Sequence, residues 1–121
     1  MKIDENRLIK PVTCYAEISV TDVAQVILKS GSRQVIVLNN EKPVGIISAT
    51  DIATRVVALK KDPEKLKASD IMTIPITTVD IETPLEKAFL IMIQRNAFSI
   101  PITRQEKLIG LLQFSQNYIK K

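Results

Sequence analysis

Gly45-Ile46-Ile47-Ser48-Ala49-Thr50-Asp51-Ile52 is matched later in the chain by Gly110-Leu111-Leu112-Gln113-Phe114-Ser115-Gln116-Asn117. In both segments a glycine precedes two large aliphatic residues, and residue 110 follows residue 45 by 65 positions. Self-similarity at a fixed distance along a chain is the signature of a structural repeat. The sequence therefore predicts two copies of one unit.

The match extends upstream over nearly the whole chain. At the same spacing, the aliphatic run 35–37 pairs with 100–102. Further upstream the spacing becomes 64, and one inserted residue between helix and strand accounts for the change. The residues matched at that spacing are Pro11-Val12-Thr13 with Pro75-Ile76-Thr77, Ser19 with Thr83, and Ala24 with Ala88. Chance identities would not extend so far in one order.

Each copy has the pattern strand, helix, strand, strand, helix. The extended segments are predicted at 12–17 and 76–81, and Ser19 and Thr83 are predicted to cap the helices that follow, with Pro84 just after its cap. Paired strands are predicted at 35–38 with 44–47 and at 100–102 with 108–112. The closing helices are predicted at 51–59, capped by Ser48 or Thr50, and at 116–120, capped by Ser115.

The repeat boundaries follow from this pattern. The first repeat is predicted at 1–59, a charged linker containing Asp62-Pro63 at 60–67, and the second repeat at 68–121. A unit of about 55 residues is too small to bury a good core alone. The two repeats are therefore expected to pack sheet against sheet into one compact module.

Composition and charge restrict the class of protein. The 121 residues are 45% hydrophobic and 25% charged, with a net charge of +4, which is typical of a soluble globular protein. The single cysteine, Cys14, excludes an internal disulfide and favours a reducing, cytoplasmic location. The N-terminal residues do not resemble a signal peptide, and no apolar run is long enough for a membrane helix. The basic surface is compatible with an anionic ligand or nucleic acid, but the sequence favours an ordinary solvated Lys/Glu surface.

Several kinds of catalytic site are missing from the sequence. There is no histidine, which removes Ser-His and Cys-His dyads and most zinc or iron sites. Only three glycines are present, and no phosphate-cradling glycine loop is among them. The carboxylates are scattered, without an evident catalytic pair. The sequence therefore predicts a protein that is not an enzyme and requires no metal or cofactor.

The repeat resembles the CBS motif, named after cystathionine β-synthase. The resemblance rests on the segments 69–79, 83–88, 98–102 and 45–52, and it covers roughly residues 8–121. It implies an α+β fold in which two repeats pair through their sheets as a pseudo-two-fold Bateman module, and it implies a disc-like homodimer. It also implies a regulatory module that binds AMP, ADP, ATP or S-adenosylmethionine in a cleft between the repeats and signals to a partner protein.

The resemblance assigns residues to a first site in which every component is present. Asp51 would bind the ribose diol, Ser48 would lie near ribose and phosphate, and the helix residues Thr50 and Arg55 would approach the same groups. Other residues would face the phosphates or enclose the adenine: Arg33 and Gln34 near the phosphates, and Ile46, Thr77, Ala97, Phe98 and Ser99 around the base. An adenine nucleotide as regulatory ligand is the expectation.

The second site departs from the motif. Gln113 stands at the Ser/Thr position and Gln116 at the Asp position, with Thr13 and 32–34 on the adenine side. Because glutamine is neutral and longer than aspartate, the paired contacts with the ribose hydroxyls would be weakened or lost. This degenerate site is expected to be empty or to hold something other than a typical nucleotide.

Other interpretations of the same residues remain open. Ser48 and Asp51 can serve only as a helix cap and a first-turn carboxylate, and Arg33 can be a plain surface residue. The degenerate motif favours a ligand-independent interaction or dimerisation module with vestigial sites. Nucleic-acid binding is a third alternative, although the sequence shows no platform of aromatic and basic residues.

Overall fold

A computed structural model describes residues 1–114. In chain order the elements are a 3-10 helix Glu5–Arg7, β1 Thr13–Tyr15, α1 Val20–Ser30, β2 Gln34–Asn39, β3 Lys42–Ser48, α2 Ala49–Ile52, a π-helix Ala53–Val57, α3 Ala68–Ile71, β4 Val79–Asp80, α4 Leu85–Gln94, β5 Ser99–Arg104 and β6 Lys107–Gln113. These elements divide between two units. Unit A is Val12–Ile76, and unit B combines Met1–Pro11 with the described residues from Thr77 onward.

Unit A contains a three-stranded sheet in the order β1-β2-β3. β1 runs parallel to β2, and β2 and β3 form an antiparallel hairpin in which Gln34 pairs with Ser48. The tight hairpin turn at Asn40 and Glu41 has positive φ at both residues, which suits the right-handed twist of the strands. Aliphatic side chains fill the interior, among them Val20, Val23, Val35, Val37, Ile47 and Val56, all at 0% exposure.

Unit B repeats this arrangement with the order β4-β5-β6. β4 runs parallel to β5, β5 is antiparallel to β6, and Ser99 pairs with Gln113 as Gln34 pairs with Ser48 in unit A. The core is again aliphatic, built from residues that include Ile3, Leu85, Ala88, Met92, Ile100, Ile102 and Leu112. The mixed α+β class and the order strand, helix, strand, strand are therefore as predicted.

In each unit, a short segment that is not part of the sheet packs against the strands and helices. In unit A, the end of the predicted linker bonds the start of α1: the Leu66 carbonyl accepts from the Val20 N–H at 2.9 Å, and the Ala68 N–H, just after the linker, donates to the Ile18 carbonyl at 2.8 Å. In unit B, Ile3 is buried, and Ile9 bonds β6 through Leu111 at 2.9 Å. The units observed by packing thus differ from the predicted repeat boundaries 1–59 and 68–121, which follow sequence similarity alone.

The helix caps show where local prediction succeeds and where it fails. The Ser19 Oγ accepts from the Asp22 N–H at 3.1 Å, as predicted. The Thr83 cap is wrong, because Pro84 occupies the N-cap of α4 and no side chain caps this helix. The helix predicted at 51–59 begins at Ala49 and continues as the π-helix. The helix predicted at 116–120, with its cap Ser115, lies outside the described residues.

No helix within residues 1–114 has both the length and the apolarity that crossing a membrane requires.

Candidate ligand site

Ser48 and Asp51 form a reciprocal cap where β3 ends and α2 begins. The Ser48 N–H donates to Asp51 Oδ2 at 2.8 Å, and the Asp51 N–H donates to Ser48 Oγ at 3.2 Å. This capping box satisfies two backbone donors that a helix start leaves without partners. Ser48 and Asp51 therefore do cap the helix, as one of the alternative interpretations of the motif predicted.

The second oxygen of Asp51 has partners that a cap does not require. Thr73 Oγ1 donates to Asp51 Oδ1 at 3.4 Å, and Arg55 Nε lies 3.7 Å from the same oxygen. The Asp51 side chain is 15% exposed, whereas that of Arg55 is 45% exposed. A carboxylate thus lies partly buried between a hydroxyl and a cation, at the end of a strand.

Arg55 is held in place by the backbone of the next segment. Its NH1 donates to the Ile71 carbonyl at 2.9 Å and to the Met72 carbonyl at 3.2 Å. These bonds join the π-helix to the end of α3. The guanidinium, predicted near ribose and phosphate, is therefore already engaged with Asp51 and two carbonyls.

The remaining predicted residues of unit A lie around the same end of the sheet. Ile46 is half-buried in β3, and its N–H donates to Thr73 at 3.1 Å. Gln34 is exposed at the start of β2, opposite Ser48, and the exposed Arg33 accepts from the Ala49 N–H at 3.3 Å through its carbonyl. Thr50 is exposed on α2. The structure thus brings β2, β3 and α2 residues of the prediction to one place.

The other predicted adenine residues, apart from Ile46, lie in unit B. Ala97 is half-buried and donates its N–H to Met92 at 2.9 Å, while Phe98 is 82% exposed and accepts from the Phe114 N–H at 2.7 Å through its carbonyl. Thr77 and Ser99 are half-buried. An apolar cavity of about 410 Å³ is lined by Met92, Ile93, Asn96, Ala97, Phe98 and Phe114. This cavity offers the kind of apolar surface that a flat base would use.

The degenerate second site is described only in part. Gln113 is exposed at the end of β6, and Thr13 is half-buried in β1 of unit A. Gln116 lies outside the described residues. Within the part of the chain that the structure describes, no group of three or more His, Cys, Asp or Glu side chains could hold a metal ion.

Thr73 is the residue that the sequence interpretation missed. It lies 22 positions from Asp51 in the chain, so no local pattern joins them. A signal was nevertheless present, because at the spacing of 64 Thr73 is matched by Ile9. The hydroxyl and the Asp thus lie in different sequence repeats, and packing brings both into unit A, while the matching Ile9 lies in unit B.

Comparison with known proteins identifies the class. Two units of one strand-helix-strand-strand pattern define a tandem α+β repeat protein. The CBS domain family model matches residues 6–58 and 68–113, and the chain belongs to that family.

Three similar proteins illustrate the match. An uncharacterised protein of Methanopyrus kandleri is 30% identical over 93 residues, covering 75% of this chain and 47% of that protein. OpuCA of Staphylococcus aureus has a TM-score of 0.74 at 25% identity, covering 88% of this chain and 87% of that chain. A CBS domain pair solved with 5′-methylthioadenosine and S-adenosyl-L-methionine has a TM-score of 0.72 at 23% identity, covering 95% and 91%. The chain spans about half the length, or less, of the curated relatives it matches.

Proposed function

We propose that this CBS domain pair is a regulatory module that binds an adenine nucleotide or an adenosyl compound and transmits the bound state to a partner protein. Asp51 is the ribose ligand in this proposal, and Ser48 lies beside it. A ligand can act in this way only through a difference in affinity between two states of the module.

The observation that carries the proposal is the state of the Asp51 carboxylate. One oxygen accepts from the Ser48 N–H and the other from the Thr73 hydroxyl. An ionised carboxylate offers about four lone-pair positions, so acceptor capacity remains for two ligand hydroxyls. The side chain is 15% exposed, which leaves it accessible while lowering the competition from water.

Asp70 provides an internal contrast. It occupies the same position of α3 that Asp51 occupies in α2, and its Oδ2 accepts from the Lys67 N–H at 2.8 Å. Asp70 is exposed, and within residues 1–114 no hydroxyl or arginine bonds it as Thr73 and Arg55 contact Asp51. A solvent-exposed aspartate is thus sufficient to cap a helix, and the additional partners of Asp51 favour a second role for its carboxylate.

The solved CBS pair that holds S-adenosyl-L-methionine supports the choice of ligand class. The assignment of Arg33, Gln34, Thr50 and Arg55 to ribose and phosphate, and of Ile46, Thr77 and 97–99 to adenine, remains a prediction. So does the location in the cytoplasm.

Calorimetric titration with AMP, ADP, ATP and S-adenosylmethionine tests the proposal. We expect saturable binding of about one ligand per chain, weakened at least tenfold by Asp51→Ala because charge-assisted hydrogen bonds are lost. Asp70→Ala is the matched control, since it removes a cap of the same geometry, and it should leave affinity unchanged.

Three other results would count against parts of this proposal. Equal losses in Asp51→Ala and Asp70→Ala would remove the site assignment. Two ligands per chain would show that the site with Gln113 and Gln116 binds. No binding of any of the four compounds would favour the second candidate function.

The second candidate is a ligand-independent interaction or dimerisation module. Unit B exposes Leu90, Ile93 and Phe98 at 52%, 61% and 82%, and unit A exposes Leu28, Val57 and Leu59. Exposed large apolar groups favour a protein partner or a second copy of the chain. Sedimentation over a range of concentrations tests self-association, which the Leu90→Ser/Ile93→Ser variant should weaken. A monomer at every concentration would contradict the homodimer.

A further inference from the structure

The two units can be compared at one equivalent position. In unit A, Thr73 and Ile46 exchange backbone hydrogen bonds of 2.8 and 3.1 Å. In unit B, Ile9 and Leu111 exchange two bonds of 2.9 Å. These pairs correspond through the repeat spacing. The backbone therefore holds residue 73 and residue 9 in the same way against equivalent strands, and only the side chains differ.

The side chains at this position differ in their ability to donate a hydrogen bond to a carboxylate. Thr73 has a hydroxyl, which donates to Asp51 Oδ1 at 3.4 Å. Ile9 has none, and in the second copy of the sequence motif Gln116 stands at the position of Asp51. Both units have the backbone bridge, but at this position only the unit with the Asp51 carboxylate has a hydroxyl. A purely structural role for residue 73 does not require that difference.

Arg55 acts on the same oxygen from the other direction. Its Nε lies 3.7 Å from Asp51 Oδ1, and its NH1 is anchored by the carbonyls of Ile71 and Met72. Those two residues directly precede Thr73 in the chain. Hydroxyl and guanidinium are thus fixed to one backbone segment, and they hold Oδ1 while Ser48 holds Oδ2.

We infer that Thr73 and Arg55 are positioning residues, which hold the Asp51 carboxylate in the orientation that ligand hydroxyls require. The expected effect on affinity rests on the proposed function, whereas the positioning of Asp51 rests on the contacts that Thr73 and Arg55 make with it. A side chain already ordered before binding does not lose that freedom when the ligand arrives, so affinity rises. In this role Arg55 acts through Asp51.

The test compares Thr73→Val, which keeps the shape and removes the hydroxyl, with Thr73→Ser, which keeps the hydroxyl. The probes are adenosine and 2′-deoxyadenosine, titrated calorimetrically. We expect Thr73→Val to weaken adenosine binding by about two- to tenfold, the cost of ordering one side chain on binding. The loss for 2′-deoxyadenosine should be smaller, and Thr73→Ser should restore both.

Thr54→Val is the matched control. The Thr54 hydroxyl lies in the same unit but donates to the Thr50 carbonyl at 2.8 Å. An equal loss of adenosine affinity in Thr54→Val would overturn the inference, because it would then be a general effect of removing a hydroxyl. Wild-type affinity and wild-type preference for adenosine in Thr73→Val would overturn it as well.

A measurement without ligand separates this inference from the proposed function. The carboxyl ¹³C resonance of Asp51 reports on the hydrogen bonds that its oxygens accept. It should move in Thr73→Val and Arg55→Met and stay near its wild-type position in Thr73→Ser and Thr54→Val. If the wild-type protein binds no adenosyl compound, the proposed function fails, and an unchanged resonance in Thr73→Val and Arg55→Met would overturn the positioning role too.

Discussion

Met72 packs directly over Gly45, so that a Cβ placed on residue 45 would lie 2.5 Å from Met72 Sδ, 2.7 Å from Cγ and 3.0 Å from Cβ. The same relationship recurs in unit B, where a Cβ on Gly110 would lie 2.7 Å from Leu8 Cβ. The glycine that begins each repeated motif is therefore required by the close approach of a neighbouring segment. In unit A that segment also carries Thr73.

Gly45→Ala is expected to destabilise the protein by about 1–3 kcal/mol, the usual effect of overpacking a tight contact. Equilibrium unfolding in urea measures the change. In a Met72→Ala background the cost of Gly45→Ala should fall substantially, because the two closest atoms, Sδ and Cγ, are gone, and a double-mutant cycle gives the coupling. Equal costs in both backgrounds would contradict this explanation of the glycine.

The two predicted caps make a second test. Ser19→Ala should cost about 1 kcal/mol, because Ser19 Oγ accepts the Asp22 N–H. Thr83→Ala should cost about 0.5 kcal/mol or less, since α4 begins at Pro84 without a side-chain cap. Thermal unfolding of the two variants measures the difference. A larger loss for Thr83→Ala would indicate that this hydroxyl caps the helix in solution.

The third prediction concerns the reactivity of the Cys14 thiol, which is buried in the core of unit A. Burial raises the pKa of the Cys14 thiol from its ordinary value of 9.0 to about 11. At pH 8 a two-unit rise leaves about a hundredfold less thiolate, so iodoacetamide should label the native protein far more slowly than the protein in urea. Equal labelling rates in the two states would show that the thiol is accessible in the native protein.

The ion pair between Glu5 and Arg104 makes a fourth test, within unit B. The hydrogen bond and charge of Arg104 hold the pKa of the Glu5 carboxyl below its ordinary 4.5. The pair's contribution is therefore present above about pH 4.5 and is lost as the pH falls through the lowered value. It should be small, because both side chains are about half exposed.

NMR titration of the Glu5 carboxyl measures the lowering of its pKa directly. Arg104→Gln should raise its pKa toward 4.5, and added salt should do the same in the wild-type protein. Arg95→Gln is the control, since it removes a positive charge from unit B without touching this pair. An unchanged Glu5 titration in Arg104→Gln would show that the pair does not persist in solution.

Much of the candidate site could be predicted from local sequence. Ser48 and Asp51 lie three residues apart, so their reciprocal cap follows from the geometry of a helix start. Gln34 and Ser48 meet because a tight turn sets the register of the hairpin, and its polar turn residues are visible in the sequence. The predicted Thr83 cap was wrong because it too was based on local sequence alone. A threonine followed by proline matches the pattern of a helix cap, but here it does not form one.

The sequence by itself determined the repeat, the order of strands and helices and the presence of an aspartate in only one of the two motifs. These features depend on residues close together in the chain or on similarity between its halves. Only the tertiary structure decided that Thr73 and Arg55 meet at Asp51, that Met72 covers Gly45 and that residues 1–11 complete unit B. Such contacts join distant segments, and their free energy comes from burying surface and satisfying polar groups together, which no local pattern of residues records.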